Sequence, residues 1–169
     1  MESFLITSVS RLRIPINRYV NTFGEPLPGD NVVFDIDGTL LNGKCPIHAV
    51  TRWFKHLVKK GCLVYIITAR TECSRADTIR QLRKHGIDGY QQLVMFPPPY
   101  HQKRIKGRVT LYKQCAMERI GDVVLTVGDM WGDLLVLPET DIGELNGVRE
   151  WNCVIGPGFV KLPDNPKYN

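Results

Sequence analysis

Asn31-Val-Val-Phe-Asp-Ile-Asp-Gly-Thr-Leu-Leu41 is an apolar run that ends in two carboxylates one residue apart. Val32, Val33, Phe34 and Ile36 have the β-branched and aromatic character of a strand buried on both faces, and Gly38 supplies the turn that leads out of it. Asp35 and Asp37 are therefore expected at the C-terminal end of a parallel strand, where open α/β sheets bind ligands. Asp-Ile-Asp-Gly-Thr-Leu fixes five positions out of six. At roughly one in twenty each, a random chain of this length would hold it well below once per thousand.

The pair has a chemical reading. One aspartate can attack phosphorus and form a covalent acyl phosphate, while a second trades protons with the leaving group. Two anions beside an incoming phosphate also demand a cation, and Mg²⁺ suits a set of oxygen ligands. The rest of the chain must then supply another magnesium ligand and positive charge for the phosphoryl oxygens.

The chain has 169 residues and 43% hydrophobic content, which suits one domain with a substantial core. No apolar run approaches the ~20 residues that span a bilayer, and the first residues carry neither a basic n-region nor a long apolar h-region. Neither membrane insertion nor secretion is expected. Cys45, Cys62, Cys73, Cys115 and Cys153 form no Cys-x-x-Cys pair, which suits free thiols in the cytoplasm rather than a zinc site. A net charge of +5 suits anionic substrates, nucleic acid among them, but 17 acidic residues are mixed in and charge alone decides nothing.

Residues 1–30 read as an N-terminal arm with room for a short helix, interrupted at Pro15. After the opening motif, Pro46 marks a helix start, and Ile47, Val50, Trp53, Phe54, Leu57 and Val58 recur at helical spacing until Gly61. Cys62–Ile67 is a second apolar strand ending in Thr68-Ala-Arg70. An amphipathic helix carrying Ala76, Ile79 and Leu82 closes at Gly86. Gln92–Phe96 is a third strand, followed by a stiff basic loop, residues 97–108, that holds Lys103, Arg104, Lys106 and Arg108. Val109, Tyr112, Ala116 and Ile120 mark another helix, ended by Gly121. Asp122–Val127 is a fourth strand, ending in Gly128-Asp-Met-Trp-Gly-Asp133, and Trp151–Ile155 is a short fifth. Helices alternate with strands that are apolar on both sides. The fold class is therefore α/β: a three-layer, Rossmann-like parallel sheet of about five strands with helices on both faces. Three strands bring polar groups to one edge: Asp35 with Asp37, Thr68, and Asp129 with Asp133.

With these residues assembled, the sequence resembles the haloacid dehalogenase superfamily of aspartate-nucleophile phosphatases. Asp35-Ile-Asp-Gly-Thr-Leu40 resembles the first motif, Ile66-Ile-Thr68 the second, Lys113 the third, and Gly128-Asp129 with Asp133 the fourth. The likeness covers residues 31–168 and leaves the arm aside. Within the superfamily it is nearer to the class B, or IIIB, acid phosphatase branch that includes vegetative storage proteins. The residues that carry this are Tyr112-Lys113 with Arg119, Gly128-Asp-Met-Trp131-Gly-Asp133, and the tail from Phe159 to Tyr168.

The resemblance implies that Asp35 is the nucleophile and Asp37 the acid/base. It implies Mg²⁺ on the Asp35 carboxylate, the Asp37 backbone carbonyl and Asp129, with Asp133 orienting Lys113 or a metal-bound water. Phosphoryl oxygens would be held by Thr68, Lys113 and the backbone N–H groups of Ile36 and Asp37. Lys103 in the basic loop rivals Lys113 for the cationic role. Cap domains of this superfamily are inserted after the first or the third strand. The 33 residues from Asp35 to Thr68 and the 61 from Thr68 to Asp129 leave room for neither.

An uncapped site suits bulky phosphorylated partners, or closure by loops such as 97–108 and by neighbouring subunits of an oligomer. The expected activity is Mg²⁺-dependent hydrolysis of phosphomonoesters, small or macromolecular, through an aspartyl-phosphate. A nucleic-acid end (3′-) phosphatase and a non-catalytic binding or storage protein on the same fold are the alternatives.

Overall fold

The computed structural model describes residues 13–98, 106–134 and 154–163. The elements in order are α1 (Arg13–Phe23), β1 (Asn31–Phe34), β2 (Leu41–Asn42), β3 (Cys45–Pro46), α2 (His48–Lys60), β4 (Leu63–Thr71), α3 (Arg75–Lys84), β5 (Gln92–Phe96), α4 (Lys106–Ile120), β6 (Val123–Gly128), β7 (Val154–Gly156) and β8 (Phe159–Lys161). Short 3₁₀ turns cover Glu72–Ser74 and Trp131–Asp133.

The main sheet has six strands in the order β5-β4-β1-β6-β8-β7. All neighbours are parallel except the edge pair β7 and β8, which is antiparallel. The opening strand is thus central: Phe34 is level with Ile66 on one side and Val127 on the other. Asp35 continues the ladder by donating its N–H to Val127 O at 3.0 Å.

Alternation along the strands separates two apolar layers. Val32, Phe34, Val64, Ile66, Leu125 and Val127 face α2, α1 and Leu82 of α3, in one cluster with Val50, Trp53, Phe54 and Leu57. Val33 and Ile67 face the other way, against Ala116 and Met117 of α4. The expected three-layer arrangement is therefore present, and no cap domain interrupts it among the described residues.

Several expectations need correction. Pro46 belongs to β3, not to a helix start, because Leu41–Asn42 pairs back on Cys45–Pro46 in a small hairpin, and α2 begins at His48 after the extended N-cap residue Ile47. Two-residue strands carry too little periodicity to be read from sequence. The predicted end of α2 holds: Gly61 adopts the left-handed conformation (φ 94°) and closes the helix onto Leu57 and Val58 carbonyls. The fifth strand also differs. Trp151–Cys153 lie outside the described residues, Val154–Gly156 runs antiparallel at the edge, and the fifth parallel strand is Phe159–Lys161, in the tail. Most of the basic loop, residues 99–105, is likewise outside the described residues.

Part of the N-terminal stretch is ordered into α1, and Pro15 does not break it: in a helix's first turn its missing N–H costs no hydrogen bond. Ile16 and Tyr19 are buried in the main core. Tyr19 packs edge-on against Trp53 at 5.9 Å, and Trp53 does the same against Phe34 at 6.1 Å. A chain of aromatic rings thus runs from α1 to the strand that carries Asp35.

Tyr19→Ala is expected to lower the unfolding free energy by about 3 kcal/mol, the low end for losing a buried aromatic ring. Urea denaturation measures it, and a change within about 0.5 kcal/mol would mark α1 as peripheral.

Candidate active site

The site begins with a turn that sequence dictates. Ile36 O accepts from the N–H groups of Thr39, Leu40 and Leu41, and Gly38 N–H donates to Leu41 O at 2.8 Å. Gly38 has φ 80°, and a Cβ there would run into the Asp129 carboxylate. Glycine is thus required twice, for the backbone conformation and for the approach of Asp129.

Lys113 reaches this edge from α4. Tyr112 anchors that helix by donating its hydroxyl to Met95 O at 2.9 Å and by packing edge-on against Phe96. Lys113 is buried, and its Nζ donates to Asp35 Oδ1 at 2.6 Å and to Asp133 Oδ1 at 2.5 Å. Asp133 is held in turn: its Oδ2 accepts from Met130 N–H at 3.1 Å within the 3₁₀ turn. Gly132 in the same turn lies so close to Thr110 of α4 that a side chain would not fit. The close packing of turn on helix sets the Lys113–Asp133 contact.

Asp35, Asp129 and Asp133 each offer a carboxylate oxygen, all within 4.8 Å of one another. Burial pushes the Asp35 carboxyl up to about 7, with Asp133 and Asp37 adding repulsion against the pull of Lys113. Asp129 is pushed up to about 8, first by burial and then by Asp35 and Asp133, while Lys161 and Lys113 oppose. Burial alone would lower the Lys113 ammonium, but attraction to Asp133 and Asp35 outweighs it and holds the group above an ordinary lysine. Three crowded carboxylates thus face only two lysines, and burial with mutual repulsion is what raises Asp35 and Asp129. The donor set is all oxygen, which fits a hard divalent cation.

The other expected residues are close by in the fold. Thr68 is buried at the last regular step of the β4–β5 register, opposite Met95. Its Oγ1 accepts from Arg70 N–H at 3.2 Å and keeps its own proton to donate. The Asp37 side chain is different: it is 52% exposed and stands apart from the carboxylate trio. Arg70 grips it with Nε to Oδ2 at 2.8 Å and Nη2 to Oδ1 at 2.7 Å, and this contact raises the arginine above its usual range. Lys103 lies outside the described residues.

Two residues of this edge were not singled out from sequence. Arg70 is two positions after Thr68 at the same strand end, and that proximity was the available signal. Lys161 is fully buried in β8, 5.9 Å from the Trp131 ring centre, with Nζ donating to Leu162 O at 2.8 Å. A lysine inside the apolar run Phe159-Val-Lys-Leu162 was its only trace.

Residues 32–113, just under half of the chain, match the family of haloacid dehalogenase-like hydrolases. A class C acid phosphatase from Bacillus anthracis aligns with 95% of this chain and 75% of its own, at TM-score 0.56 and 18% identity. The fold is that of the haloacid dehalogenase-like hydrolases. The same Bacillus anthracis phosphatase solved with tungstate bound aligns over the same shares at TM-score 0.50. A chain of the Pnkp1/Rnl/Hen1 RNA repair complex is 28% identical at TM-score 0.50, over 62% of this chain. The present chain spans little more than a third, 37%, of that one. Curated proteins give no match. On this haloacid dehalogenase-like fold, the Asp35–Asp129–Asp133 cluster occupies the C-terminal strand edge, as a catalytic or metal site would.

Metal-depleted protein titrated with Mg²⁺ is expected to gain about 2.7 kcal/mol at a hundredfold excess over Kd, which is roughly 5–10 °C in Tm for a domain of this size. Asp129→Asn should melt no lower than wild type without metal, since it removes one of three crowded charges, and should lose most of the Mg²⁺ gain. An undiminished gain in that variant would locate the ion elsewhere.

Proposed function

We propose that this protein is a Mg²⁺-dependent phosphomonoesterase that works through an aspartyl-phosphate on Asp35. The observation that carries the reading is the buried Lys113 held between Asp35 and Asp133 beside Asp129. Lys113 holds one Asp35 oxygen, and the other is the candidate nucleophile. Asp35, Asp129 and the Asp37 backbone carbonyl would hold Mg²⁺, with Asp133 orienting Lys113 or a water on the metal. When bound, the ion would neutralise carboxylate and phosphoryl charge.

In the first step an Asp35 oxygen bonds to phosphorus, the bond from phosphorus to the leaving oxygen breaks, and Asp37 gives that oxygen a proton. In the second step Asp37 takes a proton from water as the water oxygen attacks phosphorus, and the bond to Asp35 breaks. Thr68 donates its hydroxyl to a phosphoryl oxygen. Lys113 and the N–H groups of Ile36 and Asp37 offset the charge of the others.

The finer kinship, to the acid phosphatase branch that includes vegetative storage proteins, rests on Tyr112, Lys113, Arg119 and the Gly128–Asp133 motif. A cytoplasmic location rests on cysteine usage, with Cys45, Cys62, Cys73 and Cys115 all free thiols. The 28% identity to a chain of an RNA repair complex favours a second reading, in which the phosphate is at the end of a nucleic acid. No cap covers the strand edge among the described residues, which supports it, because a polymer end needs an open approach.

Asp35→Asn is expected to reduce phosphomonoester turnover on the order of a thousandfold or more. Retained turnover would exclude Asp35 as nucleophile. A panel of nucleotides, sugar phosphates, phosphopeptides and RNA or DNA with 3′- or 5′-phosphates separates the two substrate readings. Wild type inert across that panel with Mg²⁺ would point to a storage or binding role.

A further inference from the structure

Arg70 makes more contacts than an ion pair requires. Besides its two bonds to Asp37, its third nitrogen, Nη1, donates to Gln81 Oε1 of α3 at 2.8 Å and approaches Thr78 Oγ1 at 3.4 Å. Gln81 Nε2 in turn donates to Gly43 O, in the turn between β2 and β3, at 2.7 Å. His85 Nε2 lies 2.9 Å from Lys44 O in that same turn. One connected chain of hydrogen bonds therefore runs from Asp37 through Arg70 and α3 to the hairpin that follows the opening motif.

The two ends of the pair are unequal. Arg70's side chain is 19% exposed against 52% for Asp37, so the cation is the fixed member and the carboxylate the one presented to solvent. The backbone prepares this. Between Thr68 and Thr71 β4 advances three residues while β5 advances one, from Met95 to Phe96, and the irregularity carries Arg70 out of the regular ladder. A surface ion pair adds little to stability, so the forked geometry is better explained by the orientation it imposes. A carboxylate has about four acceptor positions. Two N–H bonds fix its plane and leave its outer positions able to carry a proton.

We infer that Arg70 is a positioning residue for the acid/base step, holding Asp37 where it can hand a proton to the departing oxygen and later take one from water. The inference rests on the phosphomonoesterase reading. Its signature is dependence on the leaving group. A departing alkoxide needs the proton as its bond to phosphorus breaks, whereas p-nitrophenolate leaves almost unaided. A residue that merely held phosphate or the fold would affect both substrates alike.

The test compares kcat and KM for p-nitrophenyl phosphate and an alkyl phosphate such as glycerol phosphate, in wild type, Arg70→Ala, Arg70→Lys, Asp37→Asn and the Arg70→Ala/Asp37→Asn double variant. Arg70→Ala is expected to lower kcat about a hundredfold or more for the alkyl ester and less than about tenfold for the aryl ester, at little change in KM. Arg70→Lys keeps the charge but not the fork and should fall in between. In the Asp37→Asn background, Arg70→Ala should add less than about threefold, because the two act as one unit. Equal losses on both esters, or independent effects in the double variant, would overturn the inference and leave the phosphatase reading intact. A wild type inert on both esters would overturn the two together.

Discussion

Lys113 is buried, and so are Asp35 and Asp133, the two carboxylates it joins; the contact is made from three separate parts of the chain. Taking these charges out of water is expensive, and their mutual attraction repays it only if the geometry is held closely. Tyr112 on Met95, Gly132 against Thr110 and the strand pairing of Asp35 onto Val127 are the features that hold it. Breaking such a triad by removing one member leaves an uncompensated buried charge, typically at about 3–5 kcal/mol. The interaction therefore joins α4 to the sheet edge beside the apolar contacts of Ala116 and Met117, and it leaves Asp129 without a direct cationic partner of this kind among the described residues.

Much of this edge is legible in the sequence. The first motif placed Asp35 at the C-terminal end of a buried parallel strand, because Val-Val-Phe is apolar on both sides and the glycine that follows the carboxylates turns the chain. Thr68 and Asp129 followed from the same pattern, since parallel strands all end on one side. What escaped was either short or remote. The β2–β3 hairpin is too small to have a period. The edge of the sheet was misread because Phe159–Lys161 is only three residues long and follows glycines that read as tail.

Arg70 shows a different failure. Its type and spacing were in view, two residues beyond Thr68, but an arginine at a strand end has many uses. Which one applies depends on Asp37, 33 positions earlier, and on Gln81 in the next helix. Lys161 is similar: an apolar run predicts that it is buried, while its neighbourhood with Trp131 and Asp129 depends on pairing between β6 and β8. Sequence supplied the chemical inventory, and the fold assigned the partners.

The central position of β1 also has a consequence for how the protein comes into being. The strand bearing Asp35 is the earliest in the sheet, yet it pairs with β6, which lies beyond two helix–strand units. Contacts between such distant segments carry a large loop-closure cost and form late. A chain that has made only β1, α2 and β4 holds Asp35 and Thr68 in water, with neither Lys113 nor Asp129 beside them. The charges crowd together only where α4 and β6 meet β1, so a sheet of β1 and β4 alone would carry none of that repulsion.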